Sequence, residues 1–365
     1  MMKKNVLMIS IDENILSNTS TNTLERQKKL AKELGTLTIV VYTKKEFKSF
    51  KEGNLKIIPT SSGNSKINGF KNLFYISKKE LKYNNYDIIT TQDPFFLGII
   101  GFVLSKLYSI KFYPQIHIEI FRNNTWYQES FLNKFQYILG KFVLKRADKV
   151  RTVNKFSKKI ISKKFNKNTY SIPIATPLNF SGSTKEKKEY DAIYIGRFTY
   201  EKNLPFLIEV ISQVVKKTPK FKLVLVGDGP MRSKLEEKIK FYGLENNVSL
   251  TGYLKFDLVN SYLKRSKMFI LPSLSEGWAL VAIEASLSGI PVIMTNTGCV
   301  GEVIINNKSG FGCKLNKKED FIKSIRKYYS NSKLRNSHAK EAKKIILEKY
   351  DEDLLFNNWV RFLNE

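Results

Sequence analysis

Short runs of β-branched and aromatic residues alternate along the chain with segments whose apolar positions recur at helical spacing. In the first half these runs predict strands at Val6–Ile11, Leu37–Tyr42, Leu55–Ile58, Asp87–Thr91, Phe112–Ile118 and Lys149–Val153. The segments between them predict helices at Leu24–Leu34, Phe95–Leu107, Leu132–Lys145 and Phe156–Lys164. Alternation of this kind is typical of a mostly parallel sheet that is covered by helices on both faces.

The second half repeats the alternation with clearer turn signals. Strands are predicted at Ala192–Ile195, Leu223–Val226, Met268–Leu271 and Val292–Thr295, and a helix at about Ala279–Ser288. Asn203 is expected to cap another helix, because Pro205 stands in its first turn, where the missing amide needs no partner. Near the end, the pattern of residues 354–362 predicts a helix with more apolar surface than a free tail would carry.

A polar stretch without periodicity separates the two halves and predicts a linker at residues 176–189. At 365 residues, the chain exceeds the size at which one hydrophobic core keeps growing. We therefore predict an α/β protein with two Rossmann-like, doubly wound domains, residues 1–175 and 190–349, that face each other across a cleft.

Composition narrows the choice of partners. The chain has 62 Lys and Arg against 33 Asp and Glu, a formal charge of +29. This excess indicates nucleic acid, a phosphorylated ligand or an acidic membrane, although 52 of the cations are Lys, as an AT-rich genome alone would produce. The two cysteines fit a reducing compartment, and no apolar run is long enough for a membrane helix, so we expect a cytoplasmic protein.

The clearest chemical signal is a pair of glutamates, Glu276 before a predicted helix and Glu284 within it. Their separation corresponds to about 12 Å along a helix axis, which suits hydroxyls at the two ends of an elongated ligand. The amides of residues 277–280 would be helix N-terminal donors for a phosphate or sugar oxygen. In the plainer interpretation, Glu276 only complements the helix dipole and Glu284 points to solvent.

Arg197 and Lys202 form a second candidate pair. They stand where a predicted strand ends and a helix begins, which is where open α/β sheets bind ligands. A forked guanidinium and an ammonium together suit a diphosphate. The alternative is two surface cations in a chain that has 62.

These residues belong to a series of motifs. In chain order the motifs are Gly196–Asn203, Val226–Pro230, Val248–Tyr253, Ser275–Ala285, Gly289–Val292, and Gly298–Glu302 before Gly310. Together they resemble the signature of glycosyltransferase family 4 and cover about residues 190–315. The resemblance implies a GT-B fold, retention of anomeric configuration, nucleotide-sugar donors, and a last helix, residues 350–365, that crosses back to the first domain.

The resemblance also implies roles for single residues. Arg197 and Lys202 would bind the donor diphosphate, and Glu284 would bind the ribose. Gly252 and Tyr253 would border the base. The donor sugar would be held by Glu276 and by the backbone of Gly277, Trp278, Ala279 and Leu280.

The match in the first half is thinner. Tyr86–Phe95 and Gln115–Glu119 resemble the fourth and fifth strand ends of the family's acceptor domain, where a histidine commonly faces the donor sugar. His117 therefore becomes a catalytic candidate, although a lone histidine is more often structural. The complete set of catalytic candidates is Glu276, His117, Lys202 and Arg197.

The first strand-to-helix loop departs from the family pattern. Many members carry glycines there, whereas residues Asp12–Thr23 contain none and offer small polar side chains instead. The acceptor is therefore not assigned to this loop.

We predict a retaining glycosyltransferase that moves a hexose-type sugar from a nucleotide diphosphate to a hydroxyl of a growing glycan, in surface polysaccharide biosynthesis. Arg197, Lys202 and the helix amides would stabilise the leaving diphosphate. No Asp-x-Asp motif stands in a suitable place, so neither a metal nor another cofactor is expected. By resemblance, the leaving phosphate would take the acceptor proton in a front-face reaction, and a covalent glycosyl–enzyme intermediate is the competing mechanism.

Two rival functions remain open. A GT-B sugar-nucleotide epimerase would share the fold and would act on the donor without an acceptor. A basic nucleic-acid-binding protein would suit the charge, but the aromatic residues do not interleave with the basic runs as a stacking platform would.

Residues 134–167 carry 12 cations against one acid, Asp148. Apolar residues recur at helical spacing beside them in two groups: Phe131, Phe135, Ile138 and Phe142, and then Phe156, Ile160 and Ile161. This basic amphipathic pattern predicts contact with an anionic leaflet, unless both apolar stripes face the domain's own sheet. We expect a peripheral protein on the inner face of the cell membrane, with a lipid-linked glycan as acceptor.

Overall fold

The computed structural model describes residues 3–16, 21–119, 131–176 and 187–365. The chain forms two compact units, which we call the amino-terminal unit (Met1–Pro173 with Leu355–Glu365) and the carboxyl-terminal unit (Ile174–Leu354). Most of the predicted linker at 176–189 lies outside the described residues, since 177–186 are not among them.

The amino-terminal unit contains a sheet of eight strands in the order β3-β4-β2-β1-β5-β6-β7-β8. The strands are β1 (Asn5–Ser10), β2 (Thr36–Val41), β3 (Phe50–Glu52), β4 (Leu55–Pro59), β5 (Ile88–Thr91), β6 (Lys111–Ile116), β7 (Val150–Thr152) and β8 (Thr169–Ser171). Among the described residues up to 173, the α-helices are α1 (Thr21–Glu33), α2 (Lys66–Tyr83), α3 (Phe96–Tyr108), α4 (Phe131–Arg146) and α5 (Lys155–Lys164). Every strand pair is parallel except β3 with β4.

The central strands of this sheet are buried on both faces, so their side chains alternate between two cores. Val6 and Met8 of β1 share one core with residues of α1. Leu7 and Ile9 share the other core with residues of α2, α3 and α4. These three helices therefore cover the same face of the sheet.

The carboxyl-terminal unit contains a parallel sheet of six strands in the order β11-β10-β9-β12-β13-β14. The strands are β9 (Ala192–Ile195), β10 (Leu223–Val226), β11 (Val248–Leu250), β12 (Phe269–Leu271), β13 (Val292–Thr295) and β14 (Phe311–Cys313). The helices are α6 (Leu204–Val215), α7 (Arg232–Phe241), α8 (Phe256–Lys264), α9 (Leu280–Leu287), α10 (Lys318–Ser330) and α11 (Ser332–Lys349).

The last helix, α12 (Glu352–Asn364), places residues 355–365 in the amino-terminal unit. Its buried side chains are Leu355, Phe356, Trp359, Phe362 and Leu363. Four of these five, from Phe356 onwards, lie in the core that also contains Val6 and Met8. The Phe362 ring is 5.3 Å from the ring of Tyr113 on β6. One core of the amino-terminal unit is thus completed by a segment that follows the other unit in sequence.

The predicted strands and helices are present in the structure, with small shifts at their ends. The pattern missed α2 because two positions of its buried stripe are Gly69 and Ser77, which hide the apolar spacing. It also missed β3, β8, β11 and β14, which have only three residues each, and it named no helix at α7, α8 or α10.

Asn203 stands at the N-cap position of α6, with Pro205 in the first turn as predicted, but its side chain does not cap the helix. Asn203 has a left-handed backbone (φ 54°) and makes no side-chain bond to the helix start. Its side-chain amide instead donates to the carbonyl of Pro272 at 3.3 Å and to the side chain of Asn316 at 3.1 Å. Asn203 therefore ties the loop after β9 to the loop after β12.

Candidate active site

The chain order of the carboxyl-terminal sheet creates a switch point beside β9. From β9 the strands proceed outward to β11, and the chain then returns to the other side of β9 with β12. Loops that leave two such strands diverge, and the crevice at their carboxyl ends is the usual ligand site of an open α/β sheet. The loop after β9 carries Arg197 and Lys202, and the loop after β12 carries Glu276.

Strand-end loops of this unit are joined backbone to backbone at the same edge. The amide of Gly227 donates to the carbonyl of Gly252, and the amide of Gly196 donates to the carbonyl of Val226, both at 3.0 Å. Gly227 has φ +136°, and a Cβ there would lie 2.0 Å from the carbonyl oxygen of Gly196. Only glycine permits this approach, so Gly227 fixes the position of the loop that carries Arg197.

Lys202 and Glu276 form an ion pair at this edge. Lys202 Nζ donates to Glu276 Oε1 at 2.7 Å, and the two side chains are 21% and 11% exposed. Their loops are also joined through the backbone, because the amide of Leu274 donates to the carbonyl of Glu201 at 2.8 Å. An ammonium has three donors and a carboxylate several acceptor sites, so a paired Lys and Glu can still bind a polar ligand.

The backbone between Glu276 and α9 is strained. Ala279 has φ 61° and ψ 60°, a left-handed conformation that costs a non-glycine residue free energy and that clusters at functional sites. Gly298 packs closely against this segment, because a Cβ added at Gly298 would lie 3.1 Å from Glu276 Cβ and 3.2 Å from Ala279 Cβ. The Trp278 ring is buried 5.1 Å from the ring of Tyr350 and belongs to the core.

Three of the four residues that were predicted to offer backbone donors, 277–280, are buried in the structure. Helix α9 begins at Leu280, one residue later than expected. Gly277, Trp278 and Ala279 are buried, and Leu280 is partly exposed. In this structure, the start of the helix itself is the part of the segment closest to solvent.

Glu284 lies in α9 and is partly buried rather than directed freely into solvent. Burial raises the pKa of its carboxyl group to about 7, and no described residue offsets this shift with an ion pair or a hydrogen bond. A carboxylate in such a place gains stability from any ligand that donates hydrogen bonds to it, as vicinal hydroxyls do.

Arg197 and Tyr253 are exposed at the same end of the unit. The Tyr194 hydroxyl donates to the carbonyl of Arg197 at 3.0 Å and so fixes the backbone there. The Arg197 guanidinium has no charged partner among the described residues. Gly252, just before Tyr253, has φ +75°. Both side chains are therefore accessible to a ligand.

In the amino-terminal unit, His117 follows β6 and belongs to a polar network. Its Nε2 lies 3.1 Å from Gln115 Oε1, which also accepts a hydrogen bond from Arg151 Nη1 at 3.0 Å. A guanidinium only donates, so this oxygen is an acceptor, His117 Nε2 carries the proton and Nδ1 keeps its lone pair. Burial, together with the charges of Arg151 and Arg26, lowers the pKa of His117 to about 3.

Arg151 was counted among the cations of residues 134–167 but was not singled out by the sequence. It is buried on β7, where its Nε donates to the carbonyl of Ile172 at 3.0 Å and its Nη2 to that of Pro173 at 3.3 Å. Its guanidinium lies 4.0 Å from the ring of Trp359. The available signal was an arginine inside a run of strand-forming residues, where a charge needs buried partners.

Three further expectations concern other parts of the chain. Residues 17–20 of the loop Asp12–Thr23 lie outside the described residues. His338, which received no role, is a core residue whose Nδ1 lies 2.8 Å from the Tyr328 hydroxyl. In the part of the chain that the structure describes, no three His, Cys, Asp or Glu side chains are grouped to hold a metal ion.

Known proteins with similar sequences or structures are glycosyltransferases. Residues 176–345 match the family model of glycosyl transferases group 1. An uncharacterized glycosyltransferase of Methanocaldococcus jannaschii is 26% identical over 317 residues, which are 85% of this chain and 84% of that protein. An amylovoran biosynthesis glycosyltransferase of Erwinia amylovora is 27% identical over 225 residues, 60% of this chain and 62% of the relative.

Similarity in three dimensions extends over the whole chain. The solved structure of Anabaena HepE in complex with UDP-glucose matches with a TM-score of 0.75 at 15% identity, over 99% of both chains. The protein thus has the GT-B fold of glycosyltransferases, and its residues 176–345 match the family of glycosyl transferases group 1.

Proposed function

We propose that this protein is a retaining glycosyltransferase that moves a sugar from a nucleoside diphosphate to a hydroxyl of a glycan. The observation that carries the proposal is the Lys202–Glu276 ion pair at the switch point of the carboxyl-terminal sheet. It presents an ammonium for a phosphate and a carboxylate for sugar hydroxyls at one edge, beside the exposed Arg197.

For the donor, we assign the diphosphate to Lys202 and Arg197 and the ribose to Glu284. Gly252 and Tyr253 border the base in this proposal. HepE was solved with UDP-glucose, so UDP-sugars are the first donors to test. An uncompensated carboxylate whose pKa is raised to about 7 by burial supports the assignment of Glu284 to a ligand rather than to the fold.

The proposed reaction needs no metal. The bond between the anomeric carbon and the diphosphate breaks, the acceptor oxygen bonds to the same face of that carbon, and the acceptor proton passes to a leaving phosphate oxygen. Lys202, Arg197 and the start of α9 stabilise the charge that develops on the diphosphate. Glu276 orients the donor sugar, and His117, neutral at physiological pH, contributes an acceptor nitrogen from the amino-terminal unit.

For the acceptor, we propose a lipid-linked glycan at the cytoplasmic face of an anionic membrane, in the synthesis of a surface polysaccharide. The relative from Erwinia amylovora, named for amylovoran biosynthesis, supports a polysaccharide product. The excess of cations in residues 134–167 supports a membrane location.

A thermal-shift screen with UDP-, GDP-, ADP- and TDP-sugars tests the donor assignment. A donor at 100 times its dissociation constant should stabilise the wild type by about 2.7 kcal/mol, and the Glu284→Ala variant much less. NMR of the glycosylated product then gives the anomeric configuration. Conversion of the donor to an epimer or to free sugar, with no transfer to any acceptor, would replace this proposal by a sugar-nucleotide epimerase.

A further inference from the structure

Helix α4 turns much of its apolar surface outward. Phe131 and Ile138 are 86% and 62% exposed. The other exposed apolar side chains of this helix are Leu132, Phe135 and Phe142. The residues that face the unit's interior are Gly140, Val143 and Leu144. The apolar stripe of α4 therefore does not pack on the unit's own sheet.

The apolar surface continues from α4 onto α2 and α3. A groove of about 560 Å³ lies among these helices, and the apolar side chains that line it include Phe70, Phe74, Phe96, Ile99, Phe135 and Leu139. Ile67 and Tyr75 of α2 line it as well and are exposed. A contiguous exposed apolar surface on a soluble protein, especially one rimmed by polar residues, marks a binding surface. We call the outer surface of α2, α3 and α4 the apolar face.

The charges of these three helices are almost all positive. Together α2, α3 and α4 contain ten Lys and Arg and one acid, Glu80, so ten less one leaves a net charge of +9. Glu80 is already paired with Lys56 at 2.8 Å. Exposed lysines occur on each helix, among them Lys71, Lys106 and Lys134. Apolar side chains surrounded by cations are the pattern of surfaces that enter an anionic leaflet.

The neighbouring helix α5 shows that charge alone does not define this surface. Its lysines are exposed, but Ile161 is fully buried, and Phe156 and Ile160 are only partly exposed. For the α5 stripe, the structure therefore agrees with the second of the two outcomes that the sequence left open, packing on the unit's own interior. Three apolar residues are needed to cover its part of the sheet, and none is left for a partner.

We infer that the apolar face docks on an anionic lipid bilayer and that its groove receives lipid hydrocarbon. This inference deepens the proposed function, because it assigns the membrane contact to α2, α3 and α4 and gives α5 only an electrostatic role. Charge complementarity selects the occupant, since a second copy would bring one surface of net charge +9 against another. No helix among the described residues is long and apolar enough to cross a membrane, so docking uses the exposed side chains themselves.

Cosedimentation of the full chain with vesicles tests the docking surface. The wild type should bind vesicles of phosphatidylcholine with phosphatidylglycerol at low salt, and not vesicles of phosphatidylcholine alone. The double variant Phe131→Ser/Ile138→Ser should bind these vesicles at least about tenfold more weakly than the wild type, because it removes apolar area that insertion would bury. The variant Phe241→Ser is the matched control, since Phe241 is 80% exposed on α7 in the other unit. All three substituted positions are exposed, so unchanged melting temperatures are expected.

A tryptophan placed in the groove tests whether hydrocarbon enters it. Fluorescence of the Phe135→Trp variant, corrected for the wild type, should be quenched by vesicles whose acyl chains carry bromine. Changing Lys155, Lys158, Lys159, Lys163 and Lys164 of α5 to Gln in this variant should weaken binding but leave the quenching intact at saturating vesicle concentration.

Three results would overturn the inference: binding by Phe131→Ser/Ile138→Ser equal to that of the wild type, absence of quenching in Phe135→Trp, or a wild-type dimer in light scattering that the double variant no longer forms. Stabilisation by donor sugars is measured separately in the same proteins. A protein that binds vesicles but no nucleotide sugar would contradict the proposed function and support the docking surface. A protein that binds nucleotide sugars but no vesicles would contradict the docking surface and support the proposed function.

Discussion

The two units hold their central charged groups in opposite ways. In the carboxyl-terminal unit, Lys202 and Glu276 pair with each other and keep part of their surface open to solvent. In the amino-terminal unit, Arg151 is buried, its three nitrogens donate to acceptors at 3.0 to 3.3 Å, and its plane lies on the ring of Trp359. A ligand can compete for the first arrangement, whereas the second is complete without one.

The difference indicates which network serves the fold and which serves the chemistry. A buried arginine with fixed partners contributes to a unique packing arrangement, and removing one partner leaves an uncompensated charge. An ion pair that keeps part of its surface open to solvent can be reached by a ligand, and both partners have hydrogen-bonding sites left for it. His117 lies at the border between these cases, because its Nε2 is held by the buried network and its Nδ1 keeps a lone pair.

The largest effect is expected from removing the support of Arg151. Deletion of residues 355–365 takes Phe356, Trp359, Phe362 and Leu363 out of the core, so the amino-terminal unit should lose most of its stability. Hydrogen exchange should rise sharply in residues 1–173 and much less in residues 174–354. The control is Asn357→Ala, at an exposed position of α12. Unchanged exchange in residues 1–173 would show that the unit does not depend on α12.

The next largest effect is expected in turnover. Glu276→Ala and Lys202→Ala should each lower kcat/KM by about 10²- to 10³-fold, because each removes a charge that acts on the reacting groups. The matched control is Lys267→Ala, which breaks an ion pair to Asp191 of the same length, 2.7 Å, at the opposite end of β9. It should affect stability and leave kcat/KM near the wild-type value. Equal losses in all three variants would remove the assignment of the site.

Glu284 allows a test in which stability and binding change in opposite directions. Its folded-state pKa of about 7 lies above the unfolded value near 4.5, so between these pH values the folded state holds a proton that the unfolded state has lost. Stability should therefore fall as pH rises through this range, and Glu284→Gln should be more stable than the wild type at pH 8, by at most about 3 kcal/mol. Donor affinity of the wild type should rise over the same pH range.

Denaturant titrations at pH 5 and pH 8 measure the first effect, and calorimetric titration with the donor measures the second. If Glu284→Gln has the same pH dependence of stability as the wild type, ionisation of Glu284 does not change the free energy of unfolding. If it binds the donor as tightly as the wild type at pH 8, Glu284 does not contact the ribose.

The smallest effect is expected for His117. With a pKa of about 3, its imidazole should stay neutral from pH 5 to pH 9 and should add no inflection to the pH dependence of kcat. The chain has only two histidines, and burial lowers the pKa of the other, His338, as well. Proton NMR should therefore show no histidine ring that titrates near pH 6.5. An His117 resonance that does so would mean that the network around Gln115 is open in solution.

Much of the fold follows from sequence periodicity, and the exceptions have identifiable causes. Strands such as Ala192–Ile195 are apolar runs bounded by turn residues, so the sequence predicts them directly. Helix α2 was hidden because Gly69 and Ser77 occupy its buried face, where bulky residues would clash or leave no room. The sequence located the N-cap position at Asn203 but not the partners of its side chain, which bonds neighbouring loops through tertiary contacts that local sequence does not encode.

The residues of the candidate site were proposed from the sequence on different grounds, the motifs and the positions at strand ends. Lys202 and Glu276 are 74 residues apart, yet the order of strands in a doubly wound sheet brings the loops after β9 and β12 together. The sequence assigned both residues to one donor site, but it paired Glu276 with Glu284 and Lys202 with Arg197, so the ion pair between Lys202 and Glu276 was not predicted. The bonds of Arg151 to Gln115 and to carbonyls of residues 172 and 173 depend on side-chain packing, which no spacing reports.

The path of α12 has a consequence for how the protein is made. Chains fold from the amino terminus while synthesis proceeds, at about 5–20 residues per second. One core of the first unit contains residues of α1 but remains incomplete until residues 355–365 leave the ribosome, after the whole second unit has been translated. The nascent chain therefore leaves the part of this core that α12 covers exposed for about 10–40 seconds, a period in which that apolar surface is open to aggregation or to a chaperone.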